Sequence, residues 1–360
     1  MRERPLVFAG GGTGGHVFPG LAVARALGER WPGSPIEWIG TRGGLEERLV
    51  PRAGLTLTVL PLAGAARRGL LHGLRALALA AAGTVRCAGR FVRRRPRLLV
   101  GVGGFASGPA ALAAVLLGVP TLLLEQNAYP GLTNRVLSRW VGATAAAFAE
   151  AGRHLRGRVV VTGNPVRPEI LAVPPRAGGP VRRVLAFGGS RGARSLNDAW
   201  IDAVPRLAGL PIELTLQTGR DDHARVAQAL GSAPVPCEVL PFLDDMPQRL
   251  AAADLVVCRA GATTVAELCA AGRAAILVPF PFAAGDHQRA NARALAARGA
   301  ALVLDPDELS GESLARTVRA LVEDPDRVQR MSEAARAAAQ RDATERVVAL
   351  AGELLAGRRA

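Results

Sequence analysis

The sequence predicts an α/β protein built from two Rossmann-like domains that face each other across a cleft. Short apolar strands alternate with helical segments along the whole chain, which is typical of parallel sheets covered by helices on both faces. The order strand, glycine loop, helix appears at residues 6–27 and again from residue 184, so the second half repeats the order of elements of the first. The expected domains are residues 1–163 and 164–340, with a last helix in 341–360 that packs back on the first domain.

The composition sets the broad class of the protein. The chain has 360 residues, of which 49% are hydrophobic, enough to bury two cores. Its four cysteines show no C-x-x-C spacing, and no signal peptide precedes the first strand, so we expect a reducing cytosol. The longest uncharged apolar run, residues 108–124, is interrupted by Pro109, Gly118 and Pro120. It therefore predicts a helix and a strand and not a membrane span.

The charge balance points to anionic partners. The formal charge is +15, and because the chain contains no lysine, arginine carries all of the positive charge. A basic surface favours nucleic acid, an anionic membrane face or phosphorylated substrates. Aromatic residues make up only 4% of the chain, and no basic stretch is interleaved with stacking aromatics. We therefore expect no nucleic acid among the partners.

The first half opens with a strand at Leu6–Ala9, a glycine loop over residues 10–15 and a helix that starts at His16. The loop satisfies G-x-G-x-x-G, but so glycine-rich a run fits many templates. A dinucleotide site also needs an acidic residue at the end of the next strand, whereas Glu37 lies inside that strand. A nicotinamide enzyme is therefore disfavoured, and the lack of lysine excludes a Walker A loop.

The segment from Arg67 to Arg97 mixes leucines with arginines and allows two interpretations. One is an ordinary amphipathic helix packed on the sheet with a solvated basic end, which is the commoner case. The other is a patch that docks on an anionic bilayer.

The rest of the first half contains a second strand that is followed by a glycine turn. Residues 98–104 form a strand and a glycine turn ahead of an alanine-rich helix. The strand at residues 120–124 then ends in the polar residues Glu125-Gln-Asn127, where open α/β sheets bind ligands. The strand Arg158–Thr162 is expected to be the last of the first domain.

The most informative stretch of the second half is Asp254–Glu267. It predicts a buried strand, a turn at Gly261 and a helix that opens near Thr263 and Thr264. Such a turn points unpaired helix N–H groups at one small volume, where a phosphate binds well, with Glu267 in reach of the ligand's sugar. The alternative is a T-x-x-E capping box from Thr264 to Glu267, which would explain both residues as helix capping. The stretch by itself does not decide between them.

The residue types suit sugar transfer from a nucleotide diphosphate. The five histidines lack metal-ligand spacing, so neither a metal nor another cofactor is expected. Phosphate-binding loops at residues 188–190 and 261–264 suit a nucleotide-diphosphate leaving group. The acceptor hydroxyl needs a base, and His16 is the candidate because a helix N-terminus favours neutral imidazole. The alternative for His16 is a histidine hydrogen-bonded in a loop.

A set of motifs spread over nearly the whole chain carries a family resemblance. The motifs are Gly11–Gly20, Gly103–Pro109, Glu125–Asn127, Gly131–Asn134, Gly163–Arg167, Gly188–Ala193, Asp244–Met246, Arg259–Glu267 and Asp286–Gln288. In this order they resemble the MurG family of bacterial transferases, which add N-acetylglucosamine to lipid I, the lipid-linked muramyl pentapeptide precursor of the cell wall. The resemblance implies the glycosyltransferase B architecture. It also implies an inverting displacement in which the acceptor's 4-hydroxyl attacks the anomeric carbon of UDP-N-acetylglucosamine and lipid II is formed with a β-1,4 linkage.

The resemblance also assigns roles to single residues, with His16 as the base. The residues implied to bind UDP-N-acetylglucosamine are Thr13, Gly14, Gly15, Asn127, Arg167, Ser190, Leu243, Ala262, Thr263, Thr264, Val265, Ala266, Glu267 and Gln288. Ser190 and residues 262–264 would hold the diphosphate, Glu267 the ribose and Leu243 the uracil. The acceptor-side candidates are Gly104, Phe105, Glu125 and Asn134. Phe105 departs from the tyrosine of some relatives, which removes any role for a hydroxyl there.

The same resemblance implies partners and a location. Besides lipid I, the implied partners are anionic inner-leaflet lipids and other cell-wall enzymes. The region from Arg67 to Arg95 corresponds to the region with which members of the family dock on the membrane. This predicts a peripheral protein on the cytoplasmic face of the bacterial inner membrane. The rival functions are a transferase for another sugar nucleotide or acceptor, and a nucleotide-sugar sensor without turnover.

Overall fold

The chain folds into two compact units. The computed structural model describes residues 4–60, 70–283 and 286–357, and their side chains except those of residues 70–76. One unit runs to Arg167 and also contains the chain from Arg341 onward, while the other is Pro168–Gln340. The first unit thus ends at Arg167 and not at residue 163, because Val166 is buried and the Arg167 guanidinium lies 4.1 Å over the Phe18 ring.

Each unit contains one parallel sheet, which confirms the predicted α/β class. The strands are β1 Leu6–Gly10, β2 Ile36–Thr41, β3 Thr56–Leu60, β4 Leu98–Gly103, β5 Thr121–Glu125, β6 Ala143–Ala146, β7 Val159–Val161, β8 Arg183–Phe187, β9 Glu213–Gln217, β10 Cys237–Leu240, β11 Leu255–Cys258, β12 Ala274–Leu277 and β13 Ala301–Val303. The seven-stranded sheet has the order β3-β2-β1-β4-β5-β6-β7, and the six-stranded sheet has the order β10-β9-β8-β11-β12-β13. In each sheet the strand order changes direction once. The change lies between β1 and β4 in the seven-stranded sheet and between β8 and β11 in the six-stranded sheet.

Helices connect the strands and cover the sheets. They are α1 Gly14–Arg30, α2 Glu46–Arg52, α3 Leu70–Arg93, α4 Ser107–Leu116, α5 Leu132–Leu137, α6 Pro168–Leu171, α7 Arg194–Ala203, α8 His223–Leu230, α9 Met246–Ala252, α10 Ala262–Ala271, α11 His287–Ala296, α12 Gly311–Val322, α13 Pro325–Ala337 and α14 Ala343–Ala356, with short 3₁₀ helices at Ala149–His154 and Val204–Leu207. Residues 67–69 of the basic segment singled out in the sequence lie outside the described residues, and the rest of that segment contains α3.

The alternation of side chains along β1 gives the first unit two cores, one on each face of the sheet. Leu6 and Phe8 pack in the core that also holds Leu350 of α14. Val7 packs in the core on the other face, which holds Phe91 of α3. The helix α14 is therefore part of the first unit, although the whole second unit precedes it in the chain.

The strand β6 is among those that the sequence does not predict. Three of the four residues of Ala143–Ala146 are alanine, which has a low preference for strands. The segment is extended because it pairs with β5 on one side and with β7 on the other, and its residues are buried.

Candidate active site

The phosphate-binding loops predicted in the second half lie side by side at the carboxyl edge of its sheet. The strands β8 and β11 are neighbours, with Phe187 opposite Cys258, and the helices α7 and α10 begin just beyond them. This is the place where the strand order reverses, and open α/β sheets bind ligands at that position. Two helix N-termini therefore present unpaired N–H groups at one edge of this sheet.

The loop before α7 is packed against the loop after β9. Gly192 has φ 76°, and a Cβ on it would lie 1.9 Å from the Thr218 carbonyl oxygen. The buried Asn197 of α7 donates from Nδ2 to the same carbonyl at 3.0 Å and to Asp222 at 2.7 Å. These contacts hold the start of α7, and with it the loop that contains Ser190, in one position.

Arg259 joins the starts of the two helices. Its guanidinium is buried between the strands' ends and donates to the carbonyl oxygens of Val278 and Pro279 and, at 2.7 Å, to Ser195 Oγ in the first turn of α7. Burial lowers the pKa of Arg259, but an arginine remains charged at neutral pH. The site thus contains a fixed positive charge next to the two helix N-termini.

The structure decides against the capping-box interpretation of Thr264 and Glu267. The N-cap of α10 is Gly261, and Thr264 lies inside the first turn of the helix. The helix begins at Ala262 because Gly261 is the last residue with an extended backbone, at φ −64° and ψ 142°. Glu267 follows in the second turn and is largely buried.

The other predicted donor residues of the second unit lie along the same edge of the sheet. Gln288, in the first turn of α11, accepts a hydrogen bond at its Oε1 from the backbone N–H of Phe280, which follows β12. Leu243 is buried in the connection after β10, at the other end of the sheet order. Ala262, Thr263, Val265 and Ala266 belong to the first turns of α10.

In the first unit the two glycine loops after β1 and β4 are in direct contact. The N–H of Gly11 donates to the Gly103 carbonyl at 3.0 Å. Gly104 has φ 79°, and a Cβ on it would lie 2.3 Å from the Gly11 carbonyl oxygen. Only glycine fits such an approach, so the loops can pack together where the strand order reverses.

A buried carboxylate that the sequence analysis missed holds the first glycine loop. Glu46 is fully buried at the start of α2 and accepts hydrogen bonds from the N–H of Gly12 at 2.6 Å and from the N–H and hydroxyl of Thr41. A Cβ on Gly11 or Gly44 would collide with this carboxylate. The pattern of glycines around an acidic residue at 40–46 is the signal that could have indicated it.

His16 lies in the first turn of α1, behind the N-cap residue Thr13. Its Nδ1 is 3.1 Å from Oε1 of Gln126, which follows β5 and was not among the predicted site residues. Thr13 is exposed, whereas Gly14, Gly15 and His16 are partly buried.

Two of the four acceptor-side candidates serve as internal supports of the loop after β5. Glu125 is buried and accepts hydrogen bonds from the N–H of Asn127, from the N–H of Gly131 and from Nδ2 of Asn134 at 2.8 Å. Asn134 is also buried. Gly104 and Phe105 are exposed, and the Phe105 side chain has 38% of its surface accessible.

The described part of the basic segment is an amphipathic helix with one internal anchor. Glu37 of β2, which is buried, forms ion pairs with Arg90 at 2.7 Å and with Arg94. The opposite side of α3 exposes Leu77, Val85 and Val92, each with about 70% of its surface accessible. Among residues 4–60, 70–283 and 286–357, no helix combines the length and apolar character that crossing a bilayer requires.

The thiols near these loops, Cys258 and Cys269, are buried, and burial raises the pKa of both. Burial raises the pKa of Cys87 and of Cys237 to about 11, so both thiols are protonated at neutral pH. Within the part of the chain that the structure describes, no three histidine, cysteine or acidic side chains come together as metal ligands.

Comparison with known proteins places both units in one family. Residues 6–146 match the glycosyltransferase family 28 N-terminal domain, and residues 183–347 match the glycosyltransferase family 28 C-terminal domain. The chain is 44% identical to the UDP-N-acetylglucosamine--N-acetylmuramyl-(pentapeptide) pyrophosphoryl-undecaprenol N-acetylglucosamine transferase of Syntrophotalea carbinolica, over 95% of this chain and 97% of that protein. It is 44% identical to the protein of the same name from an Anaeromyxobacter species, over 97% of this chain and 93% of that protein. The crystal structure of Acinetobacter baumannii MurG matches with a TM-score of 0.78 at 33% identity, over 97% of this chain and 99% of that one.

Proposed function

The chain belongs to the MurG family within glycosyltransferase family 28, and from this premise we propose how its residues carry out the family's reaction. The protein transfers N-acetylglucosamine from UDP-N-acetylglucosamine to lipid I and forms lipid II in peptidoglycan synthesis. One observation supports the residue roles above all: α7 and α10 begin side by side at the carboxyl ends of β8 and β11.

The second unit holds the donor. Ser190 and residues 262–264 contact the diphosphate, which the N-termini of α7 and α10 and the charge of Arg259 stabilise. The carboxylate of Glu267 accepts hydrogen bonds from the ribose hydroxyls, and Leu243 contacts the uracil through its backbone. Because this positive environment also stabilises UDP as it leaves, the same contacts lower the barrier to glycosyl transfer.

The first unit supplies the base. His16 accepts the proton of the acceptor's 4-hydroxyl while that oxygen bonds to the anomeric carbon and the bond from this carbon to UDP breaks. Attack from the face opposite UDP inverts the anomeric centre and gives the β-1,4 linkage. Thr13, Gly14, Gly15 and Asn127 contact the transferred sugar.

The experiment that tests this function measures transfer of radiolabelled N-acetylglucosamine from UDP to a soluble lipid I analogue. His16→Ala should lower kcat by about 10²–10⁴-fold, the usual contribution of a general base, with the KM for the donor nearly unchanged. His154→Ala, which removes a histidine that packs on Tyr129, is the matched control and should keep its activity. An unchanged kcat of His16→Ala removes this residue as the base. Equal turnover of UDP-glucose would contradict the assigned donor.

We further propose that the protein acts on the cytoplasmic face of the bacterial inner membrane, as a peripheral protein. The face of α3 with Leu77, Val85 and Val92 supports this, since the exposed Arg86 and Arg93 lie next to two of these residues in the sequence. We call these five residues the α3 face. An apolar row flanked by arginines suits the headgroup region of an anionic leaflet.

A further inference from the structure

The ring of His16 is held by a hydrogen-bonded chain that begins in the core of the first sheet. The side chain of Gln126 is 97% buried, since only 3% of it is accessible. Its Nε2 donates to the carbonyl oxygen of Val102, the residue before Gly103 in β4, at 3.0 Å. Its Oε1 lies 3.1 Å from Nδ1 of His16.

The Val102 carbonyl fixes which end of the Gln126 amide faces the histidine. A carbonyl oxygen can only accept, so the amide nitrogen must point toward Val102. The reverse orientation would bring two acceptor oxygens together in a buried place and leave both without a donor, which is unfavourable. The oxygen of the amide therefore faces His16.

An amide oxygen can only accept as well, so Nδ1 of His16 must carry the hydrogen of this contact. In a neutral imidazole the other nitrogen, Nε2, then has the lone pair. Building on the function proposed for His16, we propose that Gln126 is a positioning residue that holds His16 in the Nδ1–H tautomer, so that Nε2 takes the proton from the acceptor hydroxyl.

The backbone at Gly103 complements this arrangement. A Cβ on Gly103 would lie 2.7 Å from Nδ1 of His16 and 2.8 Å from Cε1, so the ring packs directly on the glycine backbone. The ring is thus located by packing on one side and by the Gln126 hydrogen bond in its plane. A side chain at residue 103 would push Nδ1 away from Gln126.

Three charged residues on the neighbouring segments have partners of their own. Glu46, at the start of α2, accepts from the N–H of Gly12 in the loop before α1 and from Thr41. Glu125 precedes Gln126 and accepts from Asn127, Gly131 and Asn134. The Arg167 guanidinium lies over the ring of Phe18, which belongs to α1. Gln126 contacts Nδ1 of His16.

The first test is nuclear magnetic resonance of the full chain with ¹⁵N-labelled histidine, recorded at a pH at which the imidazole rings are neutral. His16→Ala assigns the signals, and the two ring nitrogens differ in shift according to which carries the hydrogen. We expect Nδ1 to be protonated in the wild type and the preference to be lost in Gln126→Leu. Protonation at Nε2 in the wild type would overturn the proposal. This readout needs no substrate, so it is independent of the transferase assay.

The second test is the pH profile of transfer for Gln126→Leu and Gln126→Glu. Gln126→Leu should lower kcat about 10-fold, less than the ~10²–10⁴-fold effect of removing a base, with the donor KM unchanged. Gln126→Glu keeps an oxygen acceptor for Nδ1–H but loses the donor to the Val102 carbonyl, so it should retain more of kcat than Gln126→Leu does. Its negative charge stabilises imidazolium, so the acid limb of kcat/KM should move up by about one pH unit.

Thr121→Val is the matched control. It removes a buried side-chain hydrogen bond to the Val119 carbonyl at the start of β5, whereas Gln126 follows the end of this strand. It should leave both kcat and the pH profile unchanged. An unshifted acid limb in Gln126→Glu, together with wild-type kcat in Gln126→Leu, would overturn the positioning role while an inactive His16→Ala still supports the base. An active His16→Ala would overturn both.

Discussion

Glu267 is the residue on which recognition of the donor's ribose rests. Its carboxylate is largely buried in the second turn of α10, one turn beyond the residues proposed to hold the diphosphate. A hydrogen bond to a charged group contributes about 1.5–3 kcal/mol, so Glu267→Ala should raise the KM for UDP-N-acetylglucosamine roughly 10- to 100-fold. Steady-state kinetics with varied donor measure it, and Glu323→Ala, at an exposed carboxylate of the same unit, is the control. A donor KM equal to that of the control would exclude the ribose contact.

The sequence predicts the site residues that have a local signal and misses those whose contacts are distant in the sequence. His16 stands out because glycines surround it in the chain, and Thr264 because it follows a strand and a turn. Glu46 and Gln126 act through partners that are 34 and 110 positions away in the sequence, at Gly12 and His16. Contacts of this kind depend on how β1, β2, β4 and β5 are placed in the sheet, and local sequence patterns do not contain this information.

At the scale of elements, the position of α7 depends on a short chain of polar contacts. Asn197 donates to Asp222, and Asp222 also pairs with Arg225. The hydrogen bond from Arg225 is the main cause that lowers the pKa of Asp222 from 3.8 to about 2, and that from Asn197 adds to it. The folded state therefore binds fewer protons than the unfolded state in this range. The resulting stability is present above pH 4 and is lost as the pH falls toward 2.

Asp222→Asn tests this directly. The substitution should lower the urea midpoint at pH 7, and the difference from the wild type should shrink as the pH is lowered from 4 toward 2. Asp307→Asn, at an exposed aspartate, should show no such trend. A difference that stays constant over this range would mean that the Asp222 carboxylate is not stabilised by its partners.

The α3 face predicts how the protein meets a membrane. Wild type should bind vesicles that contain anionic lipid, and less so as salt rises, because the Debye length shortens to about 3 Å at 1 M. Replacing Leu77, Val85 and Val92 together by serine should weaken binding at every salt concentration by removing the apolar part. The control makes the same change to serine at Val59 and Val161, which are exposed on the edge strands β3 and β7. Vesicle binding that responds to neither change would leave the α3 face without this role.

Elements differ in how well the sequence predicts them. The strands β1, β4, β8 and β11 and the helices that follow their glycine turns are predicted, and α10 begins only one residue before Thr263. The strand β6 is not, because its pairing and not its composition makes it extended. The capping box at Thr264 fails for a similar reason, since the turn at Gly261 already provides the extended residue that begins the helix.

On the scale of the whole molecule, α14 ties the end of the described chain to the core of the first unit. Leu350 is 3% exposed in the cluster that contains Leu6 and Phe8. Leu350→Ala should therefore cost about 2–5 kcal/mol of unfolding free energy, and hydrogen exchange should lose protection in β1 and β4 but not in β8 and β11. Leu321→Ala, in the core of the second unit, should show the opposite pattern. Equal loss in both sheets would contradict this division of the cores.

The place of α14 also sets an order of events during synthesis. On the ribosome the residues of the second unit, Pro168–Gln340, emerge before those from Arg341 onward. The second unit can close its core as soon as its own residues have left the exit tunnel. The first sheet, though made earlier, keeps one apolar face without Val347 and Leu350 until translation has passed α14. For this chain, the half that is translated first is the half that is completed last.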